Sequence, residues 1–377
     1  MNELEPLLAD LVAIDSINPD LVSGAAGEGP IAAYIANWLA RAGLEVTLDE
    51  ALPGRTNVVG IARGTGGGKT LLLNGHVDTV GVAGMTDPFR PRSENGRLYG
   101  RGAYDMKGGL AACLVAAAEA RQHNLRGDVI VTAVVDEEYA GLGTMSIADR
   151  YRADGAIVAE PTELQLVVAH KGFLWLEVET QGVAAHGSRP HLGVDAIVKM
   201  GSVLAGLDRL ADELGRRPAH PLLGPPSIHA STISGGGEWS TYPDRCLLAI
   251  ERRLLPGETG EAAEAEVQTI VDRLAAADPA FKAAVRRVLE RVPLETAPDA
   301  AILGVVQQAA EVVLGQRIAP TGVSFWTDAA SLHNAGIPTV LFGPLGEGAH
   351  AAVEWVDVAS VRACAEVYLA TALAFCG

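Results

Sequence analysis

Residues 69–80 read KTLLLNGHVDTV, an apolar run that ends in polar and ionisable side chains. Two later segments repeat this pattern, DVIVTAVVD at 128–136 and GAIVAE at 155–160. Strands that are apolar at nearly every position are typical of a sheet covered on both faces, because neither face is left to water. An alanine-rich helical pattern at 108–122 separates the first two runs. This alternation predicts an α/β fold with helices on both faces of the sheet.

The pattern changes after the third of these strands. Residues 171–182, KGFLWLEVETQG, alternate apolar and polar side chains, which is typical of a strand with one face in water. The patterns that follow indicate the order β-α-β-β-α-β for this block. They lie at 193–209, 227–235, 245–254 and 257–275. We therefore predict a main α/β domain at 1–171 and 293–377, interrupted by a smaller α+β, ferredoxin-like domain at 172–292.

Composition narrows the range of partners and compartments. The 377-residue chain has a formal net charge of −17, which disfavours nucleic acid and anionic membranes because their phosphates would be repelled. The first residues lack the basic and apolar regions of a secretory signal, and no apolar run approaches the roughly 20 residues of a membrane span. The four cysteines form no CxxC unit, which is typical of core thiols in a reducing compartment. We predict a soluble, cytoplasmic protein.

A glycine-rich segment, GTGGGK at 64–69, lies between two predicted strands. It lacks the spacing and the hydroxyl group of a phosphate-binding loop. We therefore predict a hairpin turn at this segment.

Side chains that can bind a metal ion follow the predicted strands or lie in glycine-flanked loops. They are His76, Asp78, Asp105, Asp136–Glu138, Glu160 and His350. Since ligands gather at the carboxyl ends of strands in an open α/β sheet, these side chains are predicted to be neighbours. Nitrogen and oxygen ligands without thiolate suit Zn²⁺, Co²⁺ or Mn²⁺, and one carboxylate can bridge two ions about 3.5–4 Å apart. Each segment alone is more typical of a structural histidine or a solvated acidic loop than of a metal ligand. Taken together, the residues by themselves leave both interpretations open.

Taken together, several stretches resemble the M20 metallopeptidase family. They are GHVDTV (75–80), GRGAYDMKGG (100–109), DEEYAGLGT (136–144), AEPTE (159–163), AAHGSRP (184–190), ERRLLPGE (251–258) and GAHAAVEWV (348–356). They occur in the family's order along most of the chain. Two further stretches are most similar to the branch that contains acetylornithine deacetylase and succinyl-diaminopimelate desuccinylase. These are KGFLWLEVET and VSFWTDAASLHNAGIPTVLFGPLGEGAH.

The resemblance implies a role for each candidate side chain. One ion, expected to be Zn²⁺ with Co²⁺ or Mn²⁺ as alternatives, would be bound by His76, Asp105 and Glu160. A second ion would be bound by Asp105, Glu138 and His350, with Asp105 as the bridge. Glu137 would be the general base, and Asp78 would orient His76.

The inserted domain resembles the family's lid and dimerisation domain. The resemblance implies a homodimer in which His186 reaches the active site of the partner subunit and helps to hold the oxyanion. Arg253 would bind a substrate carboxylate, while the alternation of the strand directs Arg252 to the opposite face. Some relatives carry an Asn-Val-Ile-Pro-like stretch where this chain has residues 239–243, WSTYP, so that contact must differ. Asp328 is a candidate for supporting the site from behind.

These features predict an enzyme that hydrolyses the amide bond of small N-acylated amino acids. A carboxypeptidase or dipeptidase on the same scaffold is the alternative, with Arg253 binding the terminal carboxylate of a peptide. A non-catalytic binding protein of the same fold is a third hypothesis, which predicts loss of ligands or base. Because all of these residues are present, we favour an enzyme.

Overall fold

The computed structural model describes residues 3–377, which form two compact units. The helices are α1 (Leu4–Ala13), α2 (Gly29–Arg41), α3 (Gly108–Ala120), α4 (Leu142–Arg150), α5 (Ala196–Gly215), α6 (Gly260–Ala277), α7 (Ala301–Leu314), α8 (Ala329–Asn334) and α9 (Val358–Cys376). The strands are β1 (Glu45–Leu52), β2 (Arg55–Ala62), β3 (Leu71–His76), β4 (Arg92–Glu94), β5 (Arg97–Tyr99), β6 (Val129–Val134), β7 (Gly155–Val158), β8 (Val167–His170), β9 (Gly172–Gln181), β10 (Ser227–Gly235), β11 (Arg245–Leu254), β12 (Lys282–Arg291), β13 (Leu294–Glu295), β14 (Thr321–Val323), β15 (Thr339–Leu341), β16 (Gly346–Glu347) and β17 (Trp355–Asp357).

The first unit comprises the chain up to Val168 together with Thr296–Thr321 and Thr327–Gly377. The second comprises Ala169–Glu295 and Gly322–Trp326. The inserted domain is predicted from the sequence at 172–292. The short segment Gly322–Trp326 differs, because the prediction placed it in the first domain. Its aromatic and glycine residues pack on second-unit side chains, which is why it groups there.

A mixed sheet forms the centre of the first unit. Its strand order is β1-β2-β6-β3-β7-β15-β8. β6, β3, β7 and β15 run parallel to one another, whereas β2 is antiparallel to both β1 and β6, and β8 is antiparallel to β15. Every residue of β3, β6 and β7 is buried, so the sheet is covered on both faces as the apolar runs predict. Helices α3, α7 and α9 pack together, while α4 and α8 form a separate contact.

The prediction of a hairpin at 64–69 is wrong. β2 and β3 flank this segment in sequence, but β6 lies between them in the sheet and pairs with both. The glycines are needed because another stretch of backbone lies against them. A Cβ atom at Gly64 would lie 2.4 Å from the carbonyl oxygen of Gly127, and one at Gly68 would lie 2.3 Å from the Gly127 nitrogen. The segment is thus a crossover loop packed under the start of β6.

A small antiparallel sheet joins two distant parts of the chain in the first unit. Its order is β16-β17-β5-β4, with Trp355 opposite Tyr99 and Val356 opposite Leu98. The loop that carries His350 lies between β16 and β17, and the turn that carries Asp105 follows β5. The pairing of β17 with β5 therefore brings both loops to one end of the unit.

The second unit has the element order β9, α5, β10, β11, α6, β12. These strands form an antiparallel sheet in the order β10-β11-β9-β12. The two helices cover one face, and the side chains between them and the sheet form a separate apolar core. This is the small α+β arrangement that the alternation in residues 171–182 and the following patterns predict.

Helix α9 is long and apolar enough to cross a membrane when length and composition alone are considered. More than half of it is buried inside the first unit, where it packs against α3 and α7. Tyr368 and Cys364 on this helix are fully buried, and the Tyr368 hydroxyl donates to the carbonyl of Phe342. We therefore describe α9 as a core helix.

Candidate metal centre

Three adjacent parallel strands bring acidic and histidine side chains to one edge of the central sheet. His76 is the last residue of β3, Glu137 and Glu138 follow β6, and Glu160 follows β7. β3 lies between β6 and β7, so the carboxyl ends of the three strands are neighbours. Helix α3 lies directly against the end of β7. Gly109, at the start of this helix, permits the contact, because a Cβ atom there would lie 1.9 Å from the carbonyl oxygen of Ala159.

Asp105 and His350 come from loops rather than strands. Asp105 lies in an irregular turn, Ala103–Lys107, and His350 adopts the left-handed backbone conformation, with φ of 62°. Asp105 Oδ1 is 3.2 Å from His76 Nε2, and Asp105 Oδ2 is 3.3 Å from His350 Nε2. The carboxylate thus lies between the two histidines and presents one oxygen to each.

The remaining carboxylates complete two groups of candidate ligands. Glu138 Oε2 lies 3.0 Å from His350 Nε2, while Glu160 Oε1 and Glu137 Oε2 lie 3.9 and 4.0 Å from His76 Nε2. The ligand atoms of His76, Glu137 and Glu160 lie within 4.8 Å of one another. The same is true of His76, Asp105 and Glu138. The structure therefore brings together all of the residues for which the sequence predicts metal binding, and Glu137 with them.

The electrostatics of this cluster fit the binding of cations. Burial raises the pKa of Glu137 and Glu160 well above the usual range, and the repulsion between neighbouring carboxylates raises it further. Burial opposes ionisation of Asp105 as well, but hydrogen bonds from His350 and His76 hold the pKa of that carboxyl below its usual range. Among residues 3–377, Glu160 Oε1 is one of the buried side-chain oxygens without a hydrogen-bond partner. A divalent cation would satisfy this oxygen and offset the repulsion, so the donors present fit a metal site.

Asp78 supports the site through both its backbone carbonyl and its carboxylate. His76 Nδ1 is 2.9 Å from the backbone carbonyl oxygen of Asp78, whereas the Asp78 carboxylate is 3.6 Å away. With Nδ1 held by a carbonyl, Nε2 is the ring nitrogen that faces the carboxylates and would be available to a metal ion. The Asp78 carboxylate instead accepts the backbone N–H groups of Glu137 and Glu138, both at 3.2 Å. Asp78 therefore orients His76 and the acidic loop together.

A buried polar network behind Asp78 was not predicted from the sequence. Asn18 donates its side-chain amide to Asp78 Oδ2 at 2.8 Å and to Asp136 Oδ1 at 3.3 Å. Arg55 donates to the same Asp136 oxygen at 3.0 Å and to Glu28. Asp136, in the left-handed conformation with φ of 71°, thus turns away from the two glutamates that follow it. The three consecutive acids divide between the candidate metal centre and this network.

Asp328 belongs to a second set of buried, hydrogen-bonded side chains next to the candidate metal centre. Thr144 donates its hydroxyl to Asp328 Oδ2 at 2.6 Å and accepts a hydrogen bond from Asn74 at 3.1 Å. Burial raises the pKa of Asp328 to about 7, although the hydrogen bond from Thr144 lowers it in part. The charge of Asp328 contributes to the raised pKa of Glu137 and Glu160, which agrees with the predicted supporting position.

The second unit holds the remaining predicted residues. His186 is exposed, and its Nδ1 is 2.8 Å from the hydroxyl oxygen of Ser188. Arg252 is fully buried and donates to Glu258 and Glu266, so its role is structural. Arg253 projects from the other face of β11, is 30% exposed, and donates through Nε to Glu251 at 2.8 Å. This division between the two arginines agrees with the alternation expected from the strand.

Aromatic rings surround Arg253 within the second unit. Its guanidinium lies 5.5 Å from the centre of the Phe173 ring. That ring is in turn 5.2 Å from Trp175 and 6.0 Å from Trp326, measured between centroids. In the loop that differs from some relatives, Trp239 is fully exposed. The sequence contains no local signal for this aromatic cluster, because its members come from three separate segments.

Comparisons with known proteins give consistent results. Residues 72–374 match the sequence profile of peptidase family M20/M25/M40. The chain is 34% identical to an acetylornithine deacetylase from Myxococcus xanthus, over 99% of this chain and 98% of the relative. It is 31% identical to an N-formyl-4-amino-5-aminomethyl-2-methylpyrimidine deformylase from Bacillus subtilis (strain 168), over 92% of this chain and 89% of the relative.

Solved structures share the fold at lower sequence identity. A tripeptidase from Staphylococcus aureus superposes with a TM-score of 0.80 at 22% identity, covering 98% of this chain and 97% of that one. A dinuclear metal-binding peptidase of the M20 family from Bacillus subtilis superposes with a TM-score of 0.77 at 16% identity, covering 100% of this chain and 98% of that one. These likenesses establish the mixed α/β fold.

Proposed function

Since the chain belongs to peptidase family M20/M25/M40 and is a metallo-amidohydrolase, we propose that it cleaves the amide bond of small N-acylated amino acids. Its preferred substrate would be similar to N-acetylornithine or N-succinyl-diaminopimelate. The observation that carries this proposal is the position of Asp105, whose two carboxylate oxygens lie 3.2 and 3.3 Å from two different histidines. A carboxylate so placed is suited to bridge two cations.

Two divalent ions would be held by the strand-end and loop residues. His76, Asp105 and Glu160 would hold the first, and Asp105, Glu138 and His350 the second. We propose Zn²⁺, with Co²⁺ or Mn²⁺ as substitutes, because nitrogen and oxygen donors accept all three. When bound, such ions lower the pKa of water and polarise the carbonyl of the substrate.

Glu137 would act as the general base and then as the general acid. Its carboxylate takes a proton from the attacking water and returns it to the leaving nitrogen. Burial and the nearby Glu160 raise its pKa above that of an ordinary carboxyl group, which makes its carboxylate a stronger base. The hydrogen bond from its own backbone N–H to Asp78 holds the loop in place while the proton moves.

The second unit would supply recognition of the substrate. Because Arg253 donates to Glu251 through Nε, its two terminal nitrogens would be available for a bidentate contact with a carboxylate. The Nδ1 of His186 is held by Ser188, so its Nε2 would face the oxyanion in the partner's site. β10 is an edge strand of its sheet, is exposed at all but one residue and carries Ile233 at 53% exposure, which supports a homodimer formed through this domain. The four buried thiols support a reducing, cytoplasmic location.

A second candidate substrate is an N-formylated aminomethyl heteroaromatic compound. The observation that favours it is the aromatic cluster beside Arg253, in which Trp175 and Trp326 pack on the buried Phe173 and are themselves partly exposed, so that they could contact a ring. The relative from Bacillus subtilis bears a name that specifies such a substrate. Carboxypeptidase or dipeptidase activity remains a further alternative on this scaffold.

The test is a panel of amide substrates, measured with and without added Zn²⁺ or Co²⁺. It should contain N-acetylornithine, N-succinyl-diaminopimelate, other N-acyl amino acids, a formylated aminomethylpyrimidine and several dipeptides. The variants are Glu137→Gln, which keeps the shape of the side chain, and Glu45→Gln, an exposed glutamate on β1 as the matched control. Metal-dependent release of amine that is lost in Glu137→Gln and kept in Glu45→Gln is the expected result.

The panel also separates the candidates. Preference for an acyl amino acid supports the deacylase, preference for the pyrimidine supports the second candidate, and preference for a free α-amine supports a peptidase. Full activity in Glu137→Gln would contradict the role given to that residue.

A further inference from the structure

We propose that Glu354 is a positioning residue that fixes the distance between Asp105 and His350, and with it the binding of the second metal ion. The inference rests on the proposed metal-dependent function and adds a residue to which neither the family resemblance nor the strand-end pattern gave a role. Glu354 lies four residues after His350, and its side chain is fully buried.

The carboxylate of Glu354 accepts hydrogen bonds from the turn that carries Asp105. Its Oε2 accepts hydrogen bonds from Arg101 Nη1 at 2.6 Å and from the backbone N–H of Gly102 at 2.9 Å. Its Oε1 accepts from the backbone N–H groups of Tyr104 at 2.9 Å and of Asp105 itself at 3.0 Å. Four donors from five consecutive residues therefore converge on one side chain.

The charge of Glu354 is required by this arrangement. An ionised carboxylate accepts at both oxygens, whereas an amide would turn an NH₂ group towards two of the four donors. Backbone N–H groups left without an acceptor in a buried turn would move to find one. A change from Glu354 to Gln should therefore shift the turn without changing the volume of the side chain.

Arg101 extends the same contact to two other loops. Its Nη2 donates to the carbonyl of Gly81 at 3.1 Å and to that of Ala351 at 3.0 Å. Gly81 follows the segment with His76 and Asp78, and Ala351 is next to His350. The buried Arg101–Glu354 pair thus ties together three loops that meet at the candidate metal centre.

The two candidate ion sites differ in how they are supported. His76 and Glu160 lie at the ends of buried strands, and the sheet fixes them. His350 lies in a loop and itself has the left-handed backbone conformation. Asp105 lies in the turn whose backbone N–H groups Glu354 accepts. Because metal–ligand distances tolerate only about 0.2 Å, a shift of these loops should weaken the second site more than the first.

The experiment compares metal binding by the purified full-length chain and two variants. Glu354→Gln is the test. Glu258→Gln is the matched control, because Glu258 also accepts from a buried arginine, Arg252 at 2.7 Å, and from a backbone N–H, that of Leu255 at 2.8 Å, within the second unit. Zn²⁺ content after dialysis at fixed free Zn²⁺, the absorption spectrum during Co²⁺ titration and the melting temperature are measured on each.

The expected result is that Glu354→Gln binds the second ion about ten- to a hundredfold more weakly, and the first ion, which shares only Asp105 with it, more weakly by a clearly smaller factor. Glu258→Gln should bind both ions as the unchanged protein does, even where its melting temperature falls. Arg101→Lys keeps the positive charge but loses the branched guanidinium group that contacts three loops. It should therefore weaken binding of the second ion to a smaller degree. It serves as the test if Glu354→Gln does not fold.

Two outcomes would overturn the proposal. One is normal binding of two ions by Glu354→Gln and Arg101→Lys. The other is equal weakening of both ions, or the same loss in Glu258→Gln, since either would indicate general destabilisation. Because metal binding is measured without substrate, a chain that binds two ions but hydrolyses nothing would count against the proposed function alone. An unchanged chain that binds fewer than two ions would count against both.

Discussion

The side-chain amide of Asn18 donates to Asp78 Oδ2 at 2.8 Å, although 60 residues separate them in the chain. Both residues are buried. The same Asp78 carboxylate accepts the backbone N–H groups of Glu137 and Glu138, so Asn18 fixes the group that holds the acidic loop. Through Asp78, Asn18 therefore helps to position the candidate base, Glu137, and one candidate ligand, Glu138.

We expect Asn18→Ala to lower activity about ten- to a hundredfold, because loss of a group behind a metal site has effects of this size. The Asp78 carboxylate would lose one of three donors and could rotate away from the loop. The rate of amide hydrolysis and the Zn²⁺ content are the measurements. Asn124→Ala, a change at an exposed asparagine, is the control. Equal activity in the two variants would argue against a role for Asn18.

The metal-free protein should lose stability as the pH rises from about 6.5 to 10. Hydrogen bonds to Asp105 and Glu138 raise the pKa of His350 to about 10, and burial raises the pKa of Glu137 and Glu160. The folded chain therefore holds protons that the unfolded chain has already released, and this stabilisation is lost as the pH rises through the folded pKa values. The melting temperature in the presence of a chelator is the measurement.

Metal-loaded protein is the control for this pH dependence. Bound ions take the place of the protons, so the decline should be smaller across the same range. A melting temperature that stays constant or rises between these pH values in the chelated protein would contradict the prediction.

The two neighbouring arginines should respond in opposite ways. Arg252→Ala removes a fully buried guanidinium from Glu258 and Glu266, which keep only the more exposed Arg217, and should destabilise the protein by about 1.5–3 kcal/mol. Arg253→Ala should leave the melting temperature nearly unchanged but weaken binding of carboxylate substrates by about 1.5–3 kcal/mol, seen as a higher KM. Thermal unfolding and steady-state kinetics separate these effects. The interpretation fails if Arg253→Ala acts only on stability.

Mixing two inactive variants should restore activity if His186 acts in the partner's site. In a mixed dimer of His186→Ala and Glu137→Gln chains, one of the two sites has both residues intact. Random exchange of subunits should therefore recover about one quarter of the activity of the unchanged enzyme. Hydrolysis is measured before and after the two variants are unfolded and refolded together.

The control for this experiment is refolding of each variant alone, which should restore nothing. No recovery in the mixture, with dimers demonstrated by light scattering, would place His186 in the site of its own subunit or outside catalysis. A monomeric protein would overturn the proposed role of the β10 edge.

The sequence predicts the strand-end part of the site because each signal is local. The runs before His76, Glu137 and Glu160 are apolar and adjacent to their polar ends, so both strand and site can be recognised within ten residues. The position of His350 follows from the family resemblance. What joins these segments in space is the parallel pairing of β6, β3 and β7, and the buried runs predict that arrangement.

Other features could not be predicted because their partners are distant. Segment 64–69 has the composition of a hairpin turn. It is not one, because β6, which comes more than 50 residues later, lies between the two flanking strands. Nothing in the sequence around Asn18 indicates its contact with Asp78. Glu354 resembles a surface acid next to Trp355, and its burial depends on donors in residues 101–105. Such roles arise from tertiary contacts, which local patterns do not encode.

The Arg101–Glu354 contact joins residues separated by 253 positions, and this has a consequence during synthesis. A ribosome completes nearly all of the first unit and all of the second before Glu354 leaves the exit tunnel. At that stage the core helix α9 has not docked either, the turn with Asp105 has no anchor, and His350 has no loop to support it. A nascent or prematurely terminated chain would therefore carry the acidic edge without a competent centre, and hydrolysis would begin only once the last segment of the chain had docked.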